Sequence, residues 1–144
     1  MNTEATRAAF QRFPHETLIA QNDVDADEIV ATGNTFLRAV TVGVLWSLGA
    51  ESKAAVLGAH QMGGLLFIAR ILPFRHGERR ERAARMAVMI SLNPADTIDI
   101  QVIELASGRE HARTEGVYID QLSRAVLALD YDGEEPFNPR YWTN

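Results

Sequence analysis

Residues 97–119, TIDIQVIELASGREHARTEGVYI, carry the clearest structural signal in the chain. In the first part of this stretch the apolar residues Ile98, Ile100 and Val102 alternate with polar ones, which is the pattern of a strand with one buried face. The pair Ser107–Gly108 is typical of a tight hairpin turn. The remainder of the stretch is therefore predicted to return as an antiparallel partner strand with one polar face.

The segments on either side of this hairpin extend the prediction. Met86–Leu92 is apolar enough for a buried strand, and Asn93–Pro94 ends it. After the hairpin, Asp120 is a candidate N-cap for a helix over Gln121–Leu129, whose leucine and valine side chains recur at helical spacing. The strands are thus expected to come mainly from residues 86–119.

A longer upstream segment, residues 53–72, is predicted to be a helix. It lies between Ser52, a candidate N-cap, and a proline that cannot continue a helix. Its small residues Ala55, Ala59 and Gly63 are spaced four apart on one helical face. We therefore expect a buried central helix that another backbone approaches closely.

Residues 26–48 have a wide apolar face and are also predicted to be helical, with Gly33 as a kink or break. The alternating valines of the second half also fit a strand, so the sequence leaves helix and strand open for residues 35–48. Shorter elements are expected as well: helices over 4–12 and 78–85, and a brief strand over 17–20.

Together these patterns predict an α+β fold, with helices packed on one face of a small, mostly antiparallel sheet. The length of 144 residues is that of one domain. Residues 1–133 are therefore predicted to form a single α+β domain, and residues 134–144 a C-terminal aromatic and acidic tail.

The composition excludes several classes of protein. There is no cysteine, so disulfide frameworks, cysteine nucleophiles and thiolate zinc sites are excluded. The most apolar stretches fall short of the 18 or more uncharged residues that indicate a membrane span, and the first residues lack the apolar core of a secretion signal. We expect a soluble, cytoplasmic protein without a membrane partner.

The familiar catalytic and cofactor motifs do not occur in this sequence. It contains no dinucleotide, phosphate-loop, serine-hydrolase or zinc-protease pattern, and its four histidines are scattered. We therefore predict no cofactor, no metal site and no catalytic residue. His60 is the one candidate for a pocket residue, because burial shifts the pKa of a histidine and can make it a catalytic base. The competing interpretation is that His60 is a buried structural residue.

The net charge of −5 is unevenly distributed along the chain. Residues 1–51 carry −4, residues 52–85 carry +5 and residues 86–144 carry −6. Clustered arginines bind phosphate, which makes the middle segment a candidate anion or nucleic-acid site. Interleaved Glu78 and Glu81 favour the alternative of a self-paired, solvated surface. The candidate cations are Arg75, Arg79, Arg80, Arg82 and Arg85.

The C-terminal region combines carboxylates with aromatic residues. Carboxylates steer a basic partner, and desolvated aromatic side chains are frequent interface hot spots. This pattern predicts a protein interface, with the alternative that the aromatic side chains cover the domain's own apolar surface. The candidate interface residues are Asp130, Asp132, Glu134, Glu135, Phe137, Tyr141 and Trp142.

These observations favour a small non-catalytic interaction protein, of inhibitor, immunity or regulatory type, that binds a basic surface of a protein partner. One alternative is a small-ligand-binding domain or enzyme with a pocket near His60. Another is a nucleic-acid binder that acts through Arg75–Arg85. The missing motifs argue against an enzyme, and the sequence leaves open whether the protein is a homo-oligomer.

Overall fold

The computed structural model describes residues 9, 17–18, 26–58, 60, 62–71, 74–75, 78–79 and 84–130. The helices within these residues are α1 (Ala26–Val40), α2 (Val42–Ser47) and α3 (Leu122–Leu127), and 3₁₀ turns at Ile119–Gln121 and Ala128–Asp130 flank α3. The strands are β1 (Thr17–Leu18), β2 (Glu51–Leu57), β3 (Gly63–Ile71), β4 (Phe74–Arg75), β5 (Glu78–Arg79), β6 (Ala84–Leu92), β7 (Ile98–Glu104) and β8 (Glu110–Val117).

Six of these strands form one sheet in the order β1-β2-β3-β6-β7-β8, and each neighbouring pair is antiparallel. The strands β4 and β5 form a separate two-stranded ribbon within the connection from β3 to β6. The helix α1 packs against β2 and β3, and α3 packs against α1. The predicted α+β class is confirmed, and so are the strands expected between residues 86 and 119.

The main core lies between the helices and one face of the sheet. Alternate residues of the strands, such as Phe67, Val88 and Ile100, contribute to it, and the helices contribute Phe36 and Leu122. The opposite face of the sheet carries a second buried cluster, centred on Leu66, Ile68 and Met89, and helical Ala9 is fully buried there. The central strands are therefore buried on both faces.

The predicted helix over residues 53–72 is wrong, because this segment forms the hairpin β2–β3. In β3 the six consecutive residues from Gly64 to Ala69 are all buried. A strand buried on both faces has no alternation of polar and apolar residues, so its periodicity does not distinguish it from a buried helix. Ser52 is not a helix cap either. It has a positive φ of 55° at a bulge where β2 carries one extra residue against β3.

The helical prediction for residues 26–48 is confirmed, and the strand alternative is not. The break falls at Thr41, between α1 and α2, and not at Gly33, which lies inside α1. Gly33 instead allows a close approach to the sheet, because a Cβ atom there would lie 3.1 Å from the Cβ of Ala55.

Glycines of β3 also allow close packing, as the small residues of this segment suggested, although the element is a strand. A Cβ atom on Gly63 would lie 2.9 Å from the Cβ of Thr32 in α1. On Gly64 it would lie 2.6 Å from the carbonyl oxygen of Ile90 in β6. Both glycines therefore bring β3 nearer to its neighbours than any larger residue allows.

The strand β8 lies at one edge of the sheet and is bent by two irregularities in its pairing with β7. At one of them Gly116, with φ 72°, donates its N–H to the Asp99 carboxylate at 3.3 Å. The exposed charged residues Glu110, Arg113 and Glu115 occupy this edge. Bulges and charges of this kind prevent further strands from pairing with an edge.

The remaining short elements are only partly described. Thr17–Leu18 forms a strand as expected, and Ala9 is helical within the predicted helix over 4–12. The predicted helix over 78–85 is wrong at the described positions, because Glu78–Arg79 and Ala84–Arg85 are extended and paired with other strands. The tail at 134–144 lies outside the described residues. None of the described helices is long and apolar enough to cross a membrane.

Candidate functional site

A groove of about 580 Å³ opens where α1 meets the β6–β7 loop and the turn after β8. The loop and the turn lie at the same end of the sheet, because the β7–β8 hairpin returns the chain to the level at which β6 ends. The register confirms this placement: Ile98, at the start of β7, pairs with Leu92 on one side and with Val117 on the other.

The floor of the groove is apolar. Phe36 of α1 and Ile98 of β7 are each only 2% exposed, and Leu92 at the end of β6 is partly buried. These side chains belong to the main core, so the floor is fixed by the packing of the fold.

The wall that α1 supplies is lined by hydroxyl groups. Thr32 and Thr35 lie on the same helical face as Phe36. Each threonine hydroxyl donates to the carbonyl four residues earlier, at 3.1 Å for Glu28 and 3.0 Å for Ala31. Since the hydroxyl protons are used in this way, the two oxygen atoms can act towards a ligand only as hydrogen-bond acceptors.

The β6–β7 loop is held by Asn93, and it carries Asp96 to the rim of the groove. The Asn93 side-chain oxygen accepts from the backbone N–H groups of Ala95 at 2.9 Å and Thr97 at 3.2 Å. Its nitrogen donates to Asp99 at 2.8 Å. Asp96 adopts a φ of 62° in this loop and is exposed.

The turn after β8 supplies the opposite rim. The Tyr118 N–H donates to the Gln121 side-chain oxygen at 3.3 Å, which closes the turn ahead of α3. Asp120 was the predicted N-cap of the last helix, but it lies inside the first turn and not at the cap. Tyr118 and Ile119 are 61% and 48% exposed, and adjacent exposed apolar side chains beside a groove form a candidate contact surface.

Among the described residues, the charged side chains that line the groove are all acidic. Its charged lining residues are Asp96 and Asp120, both exposed, and no lysine, arginine or histidine is among the described residues that line it. Arginine and lysine side chains combine an apolar stem with a cationic head. An apolar floor with an acidic, acceptor-rich rim is complementary to side chains of that kind.

The structure places only some of the predicted basic residues. Arg85 is exposed at the start of β6 and pairs with Glu51 of β2 at 2.7 Å. Arg75 and Arg79 lie on β4 and β5, while Arg80 and Arg82 fall outside the described residues. Arg85, the one of these arginines whose side chain is described, does not line the groove.

The other predicted sites lie away from the groove or outside the described residues. His60 lies in the turn between β2 and β3 and is exposed, so the prediction of a buried histidine is wrong, and it does not line the groove. Asp130 ends the last 3₁₀ turn. The remaining interface candidates, Asp132, Glu134, Glu135, Phe137, Tyr141 and Trp142, lie outside the described residues, so their role stays a prediction.

Sequence reasoning missed the groove because its residues resemble ordinary turn and cap residues. Asn93–Pro94 and Asp120 were assigned only structural roles. The available signal was topological: two loops separated by one hairpin must lie at the same end of a sheet.

Within the described residues, no group of three or more histidine and acidic side chains is placed to hold a metal ion. The chain matches no protein-family model, no curated protein and no solved structure.

Proposed function

We propose that this protein is a non-catalytic interaction protein, of inhibitory or regulatory type, which binds a basic and partly apolar segment of a partner protein in the groove between α1 and the Tyr118–Gln121 turn. The observation that carries the proposal is the combination of exposed Tyr118 and Ile119 with two carboxylates around an apolar floor. The cysteine-free sequence is consistent with action in the cytoplasm.

In this proposal, different residues of the groove contact different parts of the partner. The stem of an arginine or lysine packs on Leu92 and Ile119, the more accessible apolar residues of the groove, while its charged head lies near Asp96 or Asp120. Neighbouring apolar side chains of the partner pack on Tyr118, since aromatic residues of this kind dominate interface energetics. The carboxylates mainly accelerate encounter and select the sign of the partner's charge.

The test is a fluorescence anisotropy titration of the full chain with a labelled eight-residue peptide of alternating arginine and leucine. Each of the two exposed carboxylates contributes about 0.2–1 kcal/mol to the free energy of binding. We therefore expect Asp96→Asn with Asp120→Asn to weaken binding by about twofold to thirtyfold. Tyr118→Ala should weaken it tenfold or more, as expected for an interface hot spot.

A matched control removes the same charge elsewhere. Asp27→Asn with Glu115→Gln changes two exposed acids that do not line the groove, and it should alter the affinity less than twofold. Equal weakening by the two double variants would show that only net charge matters, and the proposed groove would be wrong. A peptide of alternating glutamate and leucine should not bind.

A further inference from the structure

We propose that the groove selects arginine over lysine in the partner segment, through stacking of the guanidinium on Tyr118 and hydrogen bonds from its N–H groups to acceptors on α1 and on the acidic rim. This inference rests on the proposed function, because it concerns the cationic side chain that the same groove binds. It goes further in naming which cation the partner presents and which residues of the groove distinguish it.

The polar side chains that line the groove are mainly hydrogen-bond acceptors. Thr32 and Thr35 donate their hydroxyl protons to backbone carbonyls, at 3.1 and 3.0 Å, so towards a ligand these hydroxyls can only accept. Asp96 and Asp120 are carboxylates, which accept hydrogen bonds and donate none. A cation that brings several N–H donors therefore gains more from these residues than one that brings few.

The acceptors belong to three different elements. The two threonines lie on α1, Asp96 lies in the β6–β7 loop, and Asp120 lies in the 3₁₀ turn Ile119–Gln121. An arginine guanidinium carries five N–H donors that point outwards in one plane, whereas a lysine ammonium carries three on one strongly hydrated nitrogen. Arginine is therefore able to donate to two of these elements at once, while lysine pairs with one carboxylate and keeps much of its water.

The acceptors on α1 are held in place before a ligand binds. The hydrogen bond of each threonine to its own helix fixes a side-chain torsion that is already restricted in a β-branched residue. Thr32 also lies against β3, since a Cβ atom added to Gly63 would be 2.9 Å from the Cβ atom of Thr32. Hydrogen bonds to these oxygens therefore cost little side-chain entropy on binding.

Tyr118 offers an aromatic ring at the rim of the groove. Its backbone N–H donates to the Gln121 side-chain oxygen at 3.3 Å, which holds the residue in the turn, while 61% of the residue stays exposed. The planar guanidinium stacks on aromatic faces, and arginine is found there more often than lysine. An exposure of this size leaves room for a guanidinium beside the apolar side chains that the proposed function places on Tyr118.

The test compares two labelled eight-residue peptides, arginine–leucine and lysine–leucine, which have equal length and charge. Anisotropy titration of the full chain gives the ratio of their dissociation constants. We expect the arginine peptide to bind about tenfold more tightly, the product of about threefold from stacking and about threefold from the additional hydrogen bonds. Because both peptides are titrated against every variant, a general loss of affinity does not by itself change this ratio.

The ring is tested by two substitutions of Tyr118 that keep an apolar side chain. Tyr118→Leu removes the ring, so the ratio should fall from about tenfold to about threefold. Tyr118→Phe keeps the ring and should show a ratio close to that of the wild type. An unchanged ratio in Tyr118→Leu would show that the ring does not distinguish the two cations, and the proposal would be wrong.

The acceptors on α1 are tested by Thr32→Val with Thr35→Val, which removes both hydroxyls and keeps the side-chain shape and nearly the same helix propensity. The ratio should fall to about threefold. The matched control Thr114→Val removes an exposed hydroxyl from β8, outside the groove, and should leave the ratio unchanged. Equal ratios in the double variant and the control would overturn the proposal.

A third peptide separates hydrogen bonding from charge. Symmetric dimethylation of its arginines keeps the positive charge but blocks bidentate hydrogen bonding, so this peptide should bind about threefold more weakly than the unmodified one. Equal or tighter binding would show that the N–H donors are not recognised, with the same consequence for the proposal.

Two outcomes separate this inference from the proposed function on which it rests. If neither the arginine nor the lysine peptide binds, the proposed function fails and the inference fails with it. If both bind with equal affinity, the proposed function stands and only the preference for arginine is overturned.

Discussion

At the scale of single residues, Thr41 shows a local conflict between sequence and backbone. It has φ 80° and ψ 145°, a region that β-branched residues rarely adopt. Its hydroxyl accepts a hydrogen bond from the Val44 N–H at 3.4 Å and caps α2. The strain of such a conformation is about 1–3 kcal/mol, whereas replacing a threonine cap by glycine loses only a few tenths.

We predict opposite effects for two substitutions of Thr41. Thr41→Gly relieves the strain and should raise the free energy of unfolding by about 1 kcal/mol, after the greater chain entropy of glycine is subtracted. Thr41→Ala keeps the strain and loses the cap, so it should lower the same quantity by about 0.5–2 kcal/mol. Urea unfolding of both variants measures the difference. A decrease with both would show that the positive φ carries no strain.

Gly64 is a residue at which backbone, and not a side chain, limits the available space. A methyl group there would lie 2.6 Å from the Ile90 carbonyl oxygen and would force β3 away from β6. Gly64→Ala should therefore lower the free energy of unfolding by about 1–3 kcal/mol. Gly33→Ala is the matched control: its 3.1 Å contact with the Ala55 side chain is offset by about 1 kcal/mol of helix propensity. Equal losses from the two variants would contradict this explanation.

The alternation of polar and apolar residues within a strand could be recognised in the sequence. Residues with unusual backbone conformations could not. The pattern of Ile98, Ile100 and Val102 identified β7 because one of its faces is less buried than the other. Nothing about Thr41 as a residue type indicates its positive φ, whereas aspartate adopts the left-handed region more readily than most residues, as Asp96 does here. Asp120 was recognised as belonging to a helix start, and only the three-dimensional structure shows that it lines the same groove as Asp96.

At the scale of elements, the hairpin β2–β3 shows where sequence reasoning fails. Its face of small residues and the proline that follows it favour a packed helix, and the close packing is real. The element type was wrong because a strand buried on both faces offers no period of two. By contrast, β6, β7 and their turns were predictable, because polar residues, Asn93–Pro94 and Ser107–Gly108 mark their limits.

The edge strand β8 contains an ion pair, Glu110–Arg113, whose contribution to stability depends on pH. Hydrogen bonds from Arg113, the shortest at 2.8 Å, are the main cause that lowers the pKa of the Glu110 carboxyl, and a hydrogen bond from Gln101 lowers it further. A lowered folded-state pKa adds stability above the unfolded pKa of about 4.3, and this contribution is lost as the pH falls through the folded value.

We therefore expect Glu110→Gln to lower the free energy of unfolding by about 0–1 kcal/mol at pH 7, because the pair is exposed. The difference from the wild type should shrink towards zero as the pH falls below about 4. Urea unfolding at pH 7 and pH 3 measures it. In an Arg113→Gln background the same substitution should show a much smaller pH dependence, and an unchanged one would show that Arg113 is not the cause.

At the scale of the whole molecule, charge is polarised along β6. Arg85 lies near its first residue, beside Arg70 and the basic connection, and the acidic groove lies at its last residue. The uneven charge of the sequence already separated a positive middle third from negative ends. Only the sheet topology shows that Arg70 and Arg85 lie at the opposite end of β6 from the groove.

The most direct test of the groove is ¹H–¹⁵N correlation spectroscopy of the labelled full chain during titration with the arginine–leucine peptide. We predict that the largest amide shift changes fall in Thr32–Phe36, Asp96–Ile98 and Tyr118–Gln121, and that they become much smaller in the Asp96→Asn, Asp120→Asn variant. If the largest changes lay along β8 or on the β2–β3 turn, or persisted unchanged in that variant, the groove would not be the binding site.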